Sequence, residues 1–356
     1  MPNITFRGHS YSLNPAESVL DALTRHGAAV PSSCRSGVCQ TCTMKAVSGT
    51  PPAAAQEGLR DSLKEQGYFL ACMCQPREDL EVALPDEIIA PLIDAQVIEK
   101  TELCPDVLRL RLEPAQSLLF RGGQFINLHH PDGAVRSYSI ASASLGEDYL
   151  ELHVRIIPGG KVSGWLAAKI NTGDSVQIDG PHGDCYYQAP NLDQPLVLIG
   201  TGTGLAPLFA VVKDAFLQGH RGPIHLFHGG NKASDLYLVR QFQAYSEQHE
   251  NFSYTACVMD ETADSACYSI GSPAHVALAA HKDLKGYRIY LCGNPDMVRA
   301  TKRKAFLAGA SLSEIHTDPF EAATPAAPVI PATDQHADMP VMRTDKPANS
   351  FSPNIA

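Results

Sequence analysis

Hydrophobic and polar residues follow three different rhythms along this chain. Residues 94 to 188 alternate on a period of two. VIEKTE, DVLRLRLEP, QFINLHH, RSYSIAS, YLELHVRII and SVQIDGP are short runs bounded by Gly, Pro, Asn or Asp. Such a series predicts an antiparallel six-stranded β-barrel, with one short helix at VSGWLAAKI. Residues 195 to 316 alternate solid apolar runs with segments of helical period. PLVLIG leads to LFAVVKDAFLQG, IHLFHGG to LYLVRQFQAYSEQ, FSYTACVM to AHVALAAH, and RIYLCG to MVRATKRKAFLAG. That order predicts a doubly wound parallel α/β sheet. Residues 1 to 88 mix short strand-like runs with one helix. Asn14 is its expected N-cap, Pro15 its first residue and Glu17 its reciprocal capping partner. Val19, Leu20 and Leu23 form its inward stripe, and Gly27 stops it. Beyond Phe320 the chain is rich in Ala and Pro and has no period, which predicts a disordered tail. The fold class is therefore multidomain α+β and α/β, divided at 1–90, 94–189, 190–320 and 321–356.

Composition narrows the function. A chain of 356 residues predicts two or three domains, and 44% apolar with 19% charged residues suits a soluble protein. The net charge of −10 argues against a nucleic-acid partner. Ten cysteines are too sparse for a disulfide-stapled scaffold. The first residues lack the pattern of a signal peptide, so a reducing cytoplasm is expected. From Pro195 to Val212 no charged residue occurs, about enough to cross a bilayer. Gly200, Gly202, Gly204 and Pro207 interrupt that stretch, so a buried strand, a turn and a helix start explain it better than a membrane span.

The candidate chemistry begins with CRSGVCQTC, residues 34–42. Cys34, Cys39, Cys42 and Cys72 are spaced C-x4-C-x2-C-x29-C. This matches the plant-type [2Fe–2S] ferredoxin pattern, in which four thiolates hold two irons. A zinc site would show two short Cys or His pairs, and a cytoplasmic disulfide framework is disfavoured. Gly37 lets the main chain approach the cluster, and Arg35 compensates its charge. FLACMCQP offers both Cys72 and Cys74 as the fourth ligand. The family pattern selects Cys72 and leaves Cys74 as a free thiol.

RSYS, residues 136–139, lies in the expected barrel, and PGGKVS follows at 158–163. Taken alone, RSYS is an ordinary strand. With PGGKVS and the segment after it, residues 94 to 320 resemble the ferredoxin–NADP reductase superfamily, whose flavin motif is Arg-x-Tyr-Ser. The resemblance implies that Arg136 contacts the flavin phosphates, Tyr138 packs on the isoalloxazine and Ser139 hydrogen-bonds near its reactive nitrogen. Lys161, Val162 and Ser163 would open a helix whose N-terminus binds a pyrophosphate, which favours FAD over FMN.

IGTGTGLAP, residues 199–207, joins a strand to a helix, with Pro207 in the first turn. Its Gly-x-Gly-x-x-Pro form is the superfamily's variant of the dinucleotide turn. By that resemblance Thr201, Gly202, Thr203 and Gly204 face the nicotinamide cofactor. YLCGNPDMV, residues 290–298, resembles the second motif, which places Cys292 and Gly293 beside the nicotinamide ring. The superfamily usually has proline where this chain has Asn294. An inert thiol at a strand end is the competing reading of Cys292. Phe320 either covers the flavin face until nicotinamide displaces it or is a packing aromatic. No Lys or Arg occurs from Gln241 through His281. A 2′-phosphate needs such a cation, and Glu247, Glu250, Asp260, Glu261 and Asp264 would repel it, so NADH is expected. Lys232 is the nearby counter-argument. His182, in GPHGD, is read as a loop residue near the cofactors. Cys104, Cys185, Cys257 and Cys267 are read as ordinary thiols.

The order β-grasp ferredoxin domain, flavin barrel, nicotinamide domain resembles the reductase components of multicomponent bacterial oxygenases, such as those acting on benzoate or toluate, phenol and methane. It implies an NADH-dependent oxidoreductase that passes electrons through FAD and a [2Fe–2S] cluster to an oxygenase component or a ferredoxin. Neither nucleic acid nor membrane is expected as a partner. A reductase serving a radical dehydratase in deoxysugar synthesis and a non-catalytic redox sensor are the alternatives.

Overall fold

The structure, a computed structural model, describes residues 2–87, 91–188, 190–260, 262, 264 and 266–321. Glu261 and the tail from residue 322 onward, for which disorder is expected, lie outside them.

Three sheets follow one another along the chain. The first contains β1 (Asn3–Phe6), β2 (His9–Ser12), α1 (Val19–Arg25), β3 (Thr43–Ser48), α2 (Asp61–Glu65), β4 (Tyr68–Leu70) and β5 (Leu80–Ala83). Its strand order is β2-β1-β5-β3-β4, with β1 and β5 parallel. Val19, Leu20 and Leu23 of α1 join Ile4, Phe6, Met44 and Phe69 in one core, a β-grasp arrangement. The cysteine loop lies between α1 and β3.

The start of α1 differs from the expectation. Glu17 does accept the Asn14 N–H at 2.8 Å, but Ala16 has φ +60°, which ends any helix there. The helix begins at Val19 instead, and the Ser18 hydroxyl caps it by accepting the Asp21 N–H at 3.1 Å. Glu17 is taken up by Arg25 at 2.8 Å, and that hydrogen bond pulls its pKa down to about 2. Gly27 stops the helix at φ +79°, as its position suggests.

The second sheet holds β6 (Ile93–Cys104), β7 (Val107–Pro114), β8 (Phe125–His129), β9 (Val135–Ser139), β10 (Leu150–Arg155) and β11 (Ser175–His182), with α3 (Lys161–Ala168) between the last two. The strands are antiparallel in the order β10-β7-β6-β11-β8-β9. An Ile140–Leu152 bridge brings the chain after β9 against β10, so the two edges meet as in a barrel. Val97, Leu110, Ile126, Leu152 and Ile178 fill the interior, and Val162 and Leu166 of α3 join them. His182 is not in a loop. It ends β11, and its ring lies 2.5 Å from Asp179, which also holds His129 at 2.6 Å.

The third sheet is parallel throughout. It is built from β12 (Leu196–Thr201), α4 (Leu205–Leu217), β13 (Ile224–Gly230), α5 (Val239–Gln248), β14 (Phe252–Val258), β15 (Ser269–Ile270), α6 (Pro273–Ala280), β16 (Arg288–Gly293), α7 (Pro295–Leu307) and β17 (Ile315–Pro319). β12 is covered on both faces. Leu196 and Leu198 pack with α4, while Val197 and Ile199 pack with the cluster containing Val298 of α7. That burial is why the strand reads as an unbroken apolar run. No helix among the described residues is long and apolar enough to cross a membrane, and the uncharged stretch from residue 195 is β12 followed by α4.

The barrel and the parallel sheet share a core. Val107, Cys185 and Tyr187 pack with Leu198, Leu205 and Phe209. Asp214 of α4 accepts both the backbone N–H and the hydroxyl of Ser144, at 2.7 and 2.5 Å. Each fully buried leucine here stabilises the fold by about 1.5–3 kcal/mol.

Replacing Ser18 with alanine should destabilise the first domain by about 1 kcal/mol in denaturant titration, because the Asp21 N–H loses its acceptor. A larger loss for Asn14→Ala than for Ser18→Ala would return the cap to Asn14.

Candidate functional site

The cysteine loop curls tightly. Arg35, Gly37 and Gln40 all have positive φ, at +54°, +79° and +59°. Such a path turns successive backbone N–H groups toward a common centre. The N–H groups of Ser36 and Cys39 lie 3.4 and 3.3 Å from Cys34 Sγ, and the Cys34 N–H lies 3.4 Å from Cys39 Sγ. Donation from the Ser36 hydroxyl, with the backbone N–H groups of Cys39 and Ser36, draws the Cys34 thiol down to about 5. Cys39 is lowered too, first by Thr41. The other two thiols form a second pair, with Cys42 Sγ 3.3 Å from Cys72 Sγ. Burial pushes Cys72 up to about 11, and the Gly37 N–H opposes that rise.

Among the described residues no three Cys, His, Asp or Glu side chains converge on a single ion. Two thiol pairs with inward N–H donors suit two irons, each held by one pair. Cys74 is fully buried in the hydrophobic core beside Leu20 and Phe69, and burial alone raises its thiol to about 12. No hydrogen bond to its thiol is found among the described residues, whereas Cys34, Cys39, Cys42 and Cys72 all have such contacts. Arg35 is taken by Asp21 at 3.3 Å.

In the barrel, β9 carries RSYS with its faces sorted by alternation. Arg136 is exposed, Tyr138 partly buried and Ser139 buried. Among the described residues the Arg136 guanidinium bonds only the Val135 carbonyl, at 2.6 Å, and so retains donors for an anion. The first turn of α3 has no side-chain cap. Gly160 precedes it where a Cβ would sit 2.6 Å from Ser163 Oγ. Val162 and Ser163 are buried, and the Ser163 hydroxyl accepts the Ile157 N–H at 3.1 Å. Lys161 is exposed and pairs with Asp132 at 3.0 Å. An uncapped helix start and a guanidinium with donors to spare each suit a diphosphate.

The strand order β15-β14-β13-β12-β16-β17 reverses direction at β12 and β16, and ligands of such sheets bind outside the strand ends at that point. There the chain is interlocked. A Cβ on Gly204 would meet the Cys292 carbonyl at 2.4 Å, and one on Gly293 would meet the Thr201 carbonyl at 2.5 Å. Gly202 has φ +55°, and the Arg155 guanidinium lies 3.3 Å from where its Cβ would be. Thr201 Oγ1 accepts the Asn294 N–H at 3.0 Å. Asn294 caps α7 by accepting from Met297 N–H, with Pro295 as first helical residue, which accounts for asparagine at that position. Cys292 is fully buried, its Sγ 3.7 Å from Cys185. The Phe320 N–H donates to the Gly293 carbonyl at 2.8 Å.

One contact joins the two halves. Ser139 Oγ donates to Asp318 Oδ2 at 2.7 Å, and Asp318 is the register partner of Cys292 between β17 and β16. Burial pushes the Asp318 carboxyl up to about 6, against the Ser139 hydrogen bond that lowers it; the nearby Asp184 adds to the rise. The end of RSYS and the strand of YLCGNPDMV therefore meet on one carboxylate. Sequence reasoning missed Asp318 and Arg155. IHTDP lacks the apolar alternation of a strand, and Arg155 sits in a barrel strand far from the turn it covers. The only available signal was the basic residue ending LHVR before the PGG turn.

Three family models match in tandem. Residues 4–77 match the 2Fe-2S iron-sulfur cluster binding domain, 94–187 the oxidoreductase FAD-binding domain and 198–303 the oxidoreductase NAD-binding domain. The reductase subunit of an aromatic O-demethylase from Amycolatopsis sp. is 34% identical over 335 residues, covering 91% of this chain and 99% of its own. The chain belongs to the reductase components of multicomponent oxygenases. The reductase is also 31% identical to the ferredoxin–NAD(P)(+) reductase component of the naphthalene 1,2-dioxygenase/salicylate 5-hydroxylase systems of Ralstonia sp., over 85% of this chain and 93% of that one. The crystal structure of an Amycolatopsis cytochrome P450 reductase matches it with a TM-score of 0.63 at 33% identity, over 90% of this chain and 99% of that one.

Cys72→Ser in the reductase should abolish the visible absorbance and iron content of the cluster, while Cys74→Ser keeps both. The reverse result would move the ligand to Cys74. Asp318 gives a second prediction. Its carboxyl is harder to ionise in the fold than in the unfolded chain, so its unfavourable contribution is absent below about pH 4 and complete above about pH 6. Asp318→Asn should raise the melting temperature at pH 8, by about 2 kcal/mol of stability after allowing for partial exposure. That advantage should fade as pH falls from 6 to 4. A gain independent of pH would show that ionisation of Asp318 is not its source.

Proposed function

We propose that this reductase accepts electron pairs from NADH and delivers single electrons to a partner protein, an oxygenase component or a ferredoxin. The work divides along the chain at the expected boundaries: residues 1–90 hold the [2Fe–2S] cluster, 94–189 hold FAD and 190–320 bind NADH. Bound there, FAD would supply the exchange between two-electron chemistry with the nicotinamide and one-electron chemistry with a plant-type cluster near roughly −400 mV.

The residues divide the remaining tasks. Cys34 and Cys39 hold one iron, and Cys42 and Cys72 the other. Arg136 and the first turn of α3, at Lys161, Val162 and Ser163, bind the flavin diphosphate. Tyr138 packs on the ring, and Ser139 is oriented toward it by Asp318. Thr201, Gly202, Thr203 and Gly204 give the nicotinamide cofactor a close backbone approach, and Arg155 places a cation over that turn, complementary to a diphosphate. Cys292 and Gly293 line the place where nicotinamide meets flavin, and Phe320 closes it. No group needs to carry a proton for hydride transfer, so alignment and exclusion of water are the protein's main contribution.

The observation that carries this reading is the Ser139–Asp318 hydrogen bond, because it joins a flavin-motif strand to the strand beside Cys292. The charge around the adenosine end supports NADH. The backbone N–H groups of Asn231 and Lys232 are held by the Asp235 carboxylate at 3.0 Å, which places an anion where a 2′-phosphate would need cations. The names of the relatives support an oxygenase system as the destination. All ten cysteines are free, in keeping with a reducing cytoplasm.

The test is an anaerobic visible spectrum with a census of iron, sulfide and flavin, followed by addition of NADH or NADPH. NADH should bleach both flavin and cluster, with a kcat/KM for cytochrome c reduction about tenfold or more above that of NADPH. Equal or reversed coenzyme preference would overturn the NADH assignment. Protein without iron or flavin, even when made with ample metal and sulfur, would overturn the whole route.

A further inference from the structure

Residues 58–66 connect the cysteine loop to the rest of the molecule. On one side Gln40, between Cys39 and Cys42, donates from Nε2 to the Gly58 carbonyl at 2.8 Å. On the other, the segment meets residues 183–186, where the barrel hands over to the parallel sheet. Arg60 lies 2.5 Å from Asp184 Oδ2, and Ser62 Oγ lies 3.4 Å from the same oxygen. Gln66 Nε2 donates to the Gly183 carbonyl at 3.1 Å, and the Tyr186 hydroxyl donates to the Ser62 carbonyl at 3.1 Å. A cleft of about 230 Å³ separates residues 58–61 and Lys64 from Ser313 and Glu314. The segment therefore faces the turn that leads into β17 as well.

Two ion pairs cross this junction, and their surroundings differ. Arg121 and Glu65 are about half exposed, at 51% and 50%, and 3.7 Å apart. Solvent screens such a pair almost completely. Arg60 and Asp184 are only 25% and 15% exposed. Burial raises the Asp184 carboxyl, and the Arg60 charge is the largest effect opposing it. At its far side Asp184 precedes Cys185, whose Sγ is 3.7 Å from Cys292, and its charge acts on Asp318. The pair thus sits between the cysteine loop and the carboxylate that holds Ser139.

We propose that Arg60 is a positioning residue that latches the cluster domain onto the flavin–nicotinamide body, so that cluster reduction depends on the Arg60–Asp184 pair while flavin reduction does not. The proposal rests on the electron route given above. Electron transfer falls steeply with distance, so the docked position of the cluster domain sets that rate. Loss of Arg60 leaves a largely desolvated carboxylate with only the long Ser62 contact, at 3.4 Å, and no neighbouring cation in an ion pair, which favours opening of the junction to hydrate it. Neutralising Asp184 at the same time removes that cost.

The test is a double-mutant cycle in the full-length, cofactor-loaded protein: Arg60→Leu, Asp184→Asn and both together, with Arg60→Lys as the charge-retaining control. Amide hydrogen exchange of residues 58–66 reads docking directly, and stopped-flow absorbance separates flavin from cluster reduction. Arg60→Leu should speed exchange in that segment and slow cluster reduction by about tenfold each, with NADH reduction of flavin unchanged. The double variant should regain most of the protection, and Arg60→Lys should lie between parent and Arg60→Leu. Unchanged exchange and cluster reduction in Arg60→Leu would overturn the latch. So would a double variant as open as the single one. Exchange is measured whether or not NADH bleaches the flavin, so failure of the electron route and failure of the latch are separate results.

Discussion

A partly buried carboxylate, Asp318, is the point at which the barrel strand carrying Ser139 is tied to the strand beside Cys292. Holding it there is unfavourable: removal from water pushes its pKa up to about 6, with Asp184 adding to the effect. The offsetting gain is directional. A serine hydroxyl rotates freely unless an acceptor fixes it, and a charged acceptor at 2.7 Å fixes it more firmly than a neutral one. Because Asp318 sits on β17 beside Cys292, orienting Ser139 also ties β9 of the barrel to the end of β16. Stability given up at such a place is a common mark of a working site.

Backbone constraint shapes two other places in the chain. Gly204 and Gly293 approach Cys292 and Thr201 so closely that no side chain fits either position. The close approach brings two strand ends together at the reversal point of the sheet. In the cysteine loop, Arg35 and Gln40 accept positive φ without the freedom of glycine. That conformation costs each of them roughly 1–2 kcal/mol, offset when the inward N–H groups find thiolate sulfur. In the first place close backbone contact excludes side chains, and in the second backbone strain turns N–H groups toward sulfur.

The architecture was legible wherever one rhythm ran long enough. The alternating runs became the barrel strands, and the apolar runs became β12, β13, β14 and β16, because burial on one face or two writes itself into the spacing. The cysteine spacing was legible because iron ligation tolerates few substitutes. Short or mixed segments were not. β15 has two residues, and β17 reads IHTDP, so neither carries a period. The cap at Asn14 had the right residue types, yet Ala16 left the helical region and Ser18 took the role. Contacts between distant segments, such as Ser139 with Asp318, Arg155 with Gly202 and Arg60 with Asp184, leave no local pattern at all. They exist only once the sheets are assembled.

The two junctions of the molecule differ in chemistry, and the difference follows what each must do. Barrel and parallel sheet share an apolar core in which Val107, Cys185 and Tyr187 pack among Leu198, Leu205 and Phe209. The cluster domain keeps its own separate core and meets the rest through Arg60, Gln66, Tyr186 and the exposed Arg121–Glu65 pair. Hydride transfer demands alignment to within tenths of an ångström, which close-packed apolar contact supplies and holds. Single electrons cross a gap without atoms having to touch, so a polar, directional junction is sufficient there. A chain with the reverse assignment would hold its cluster rigidly and let flavin and nicotinamide drift. It would lose the step that most needs precision.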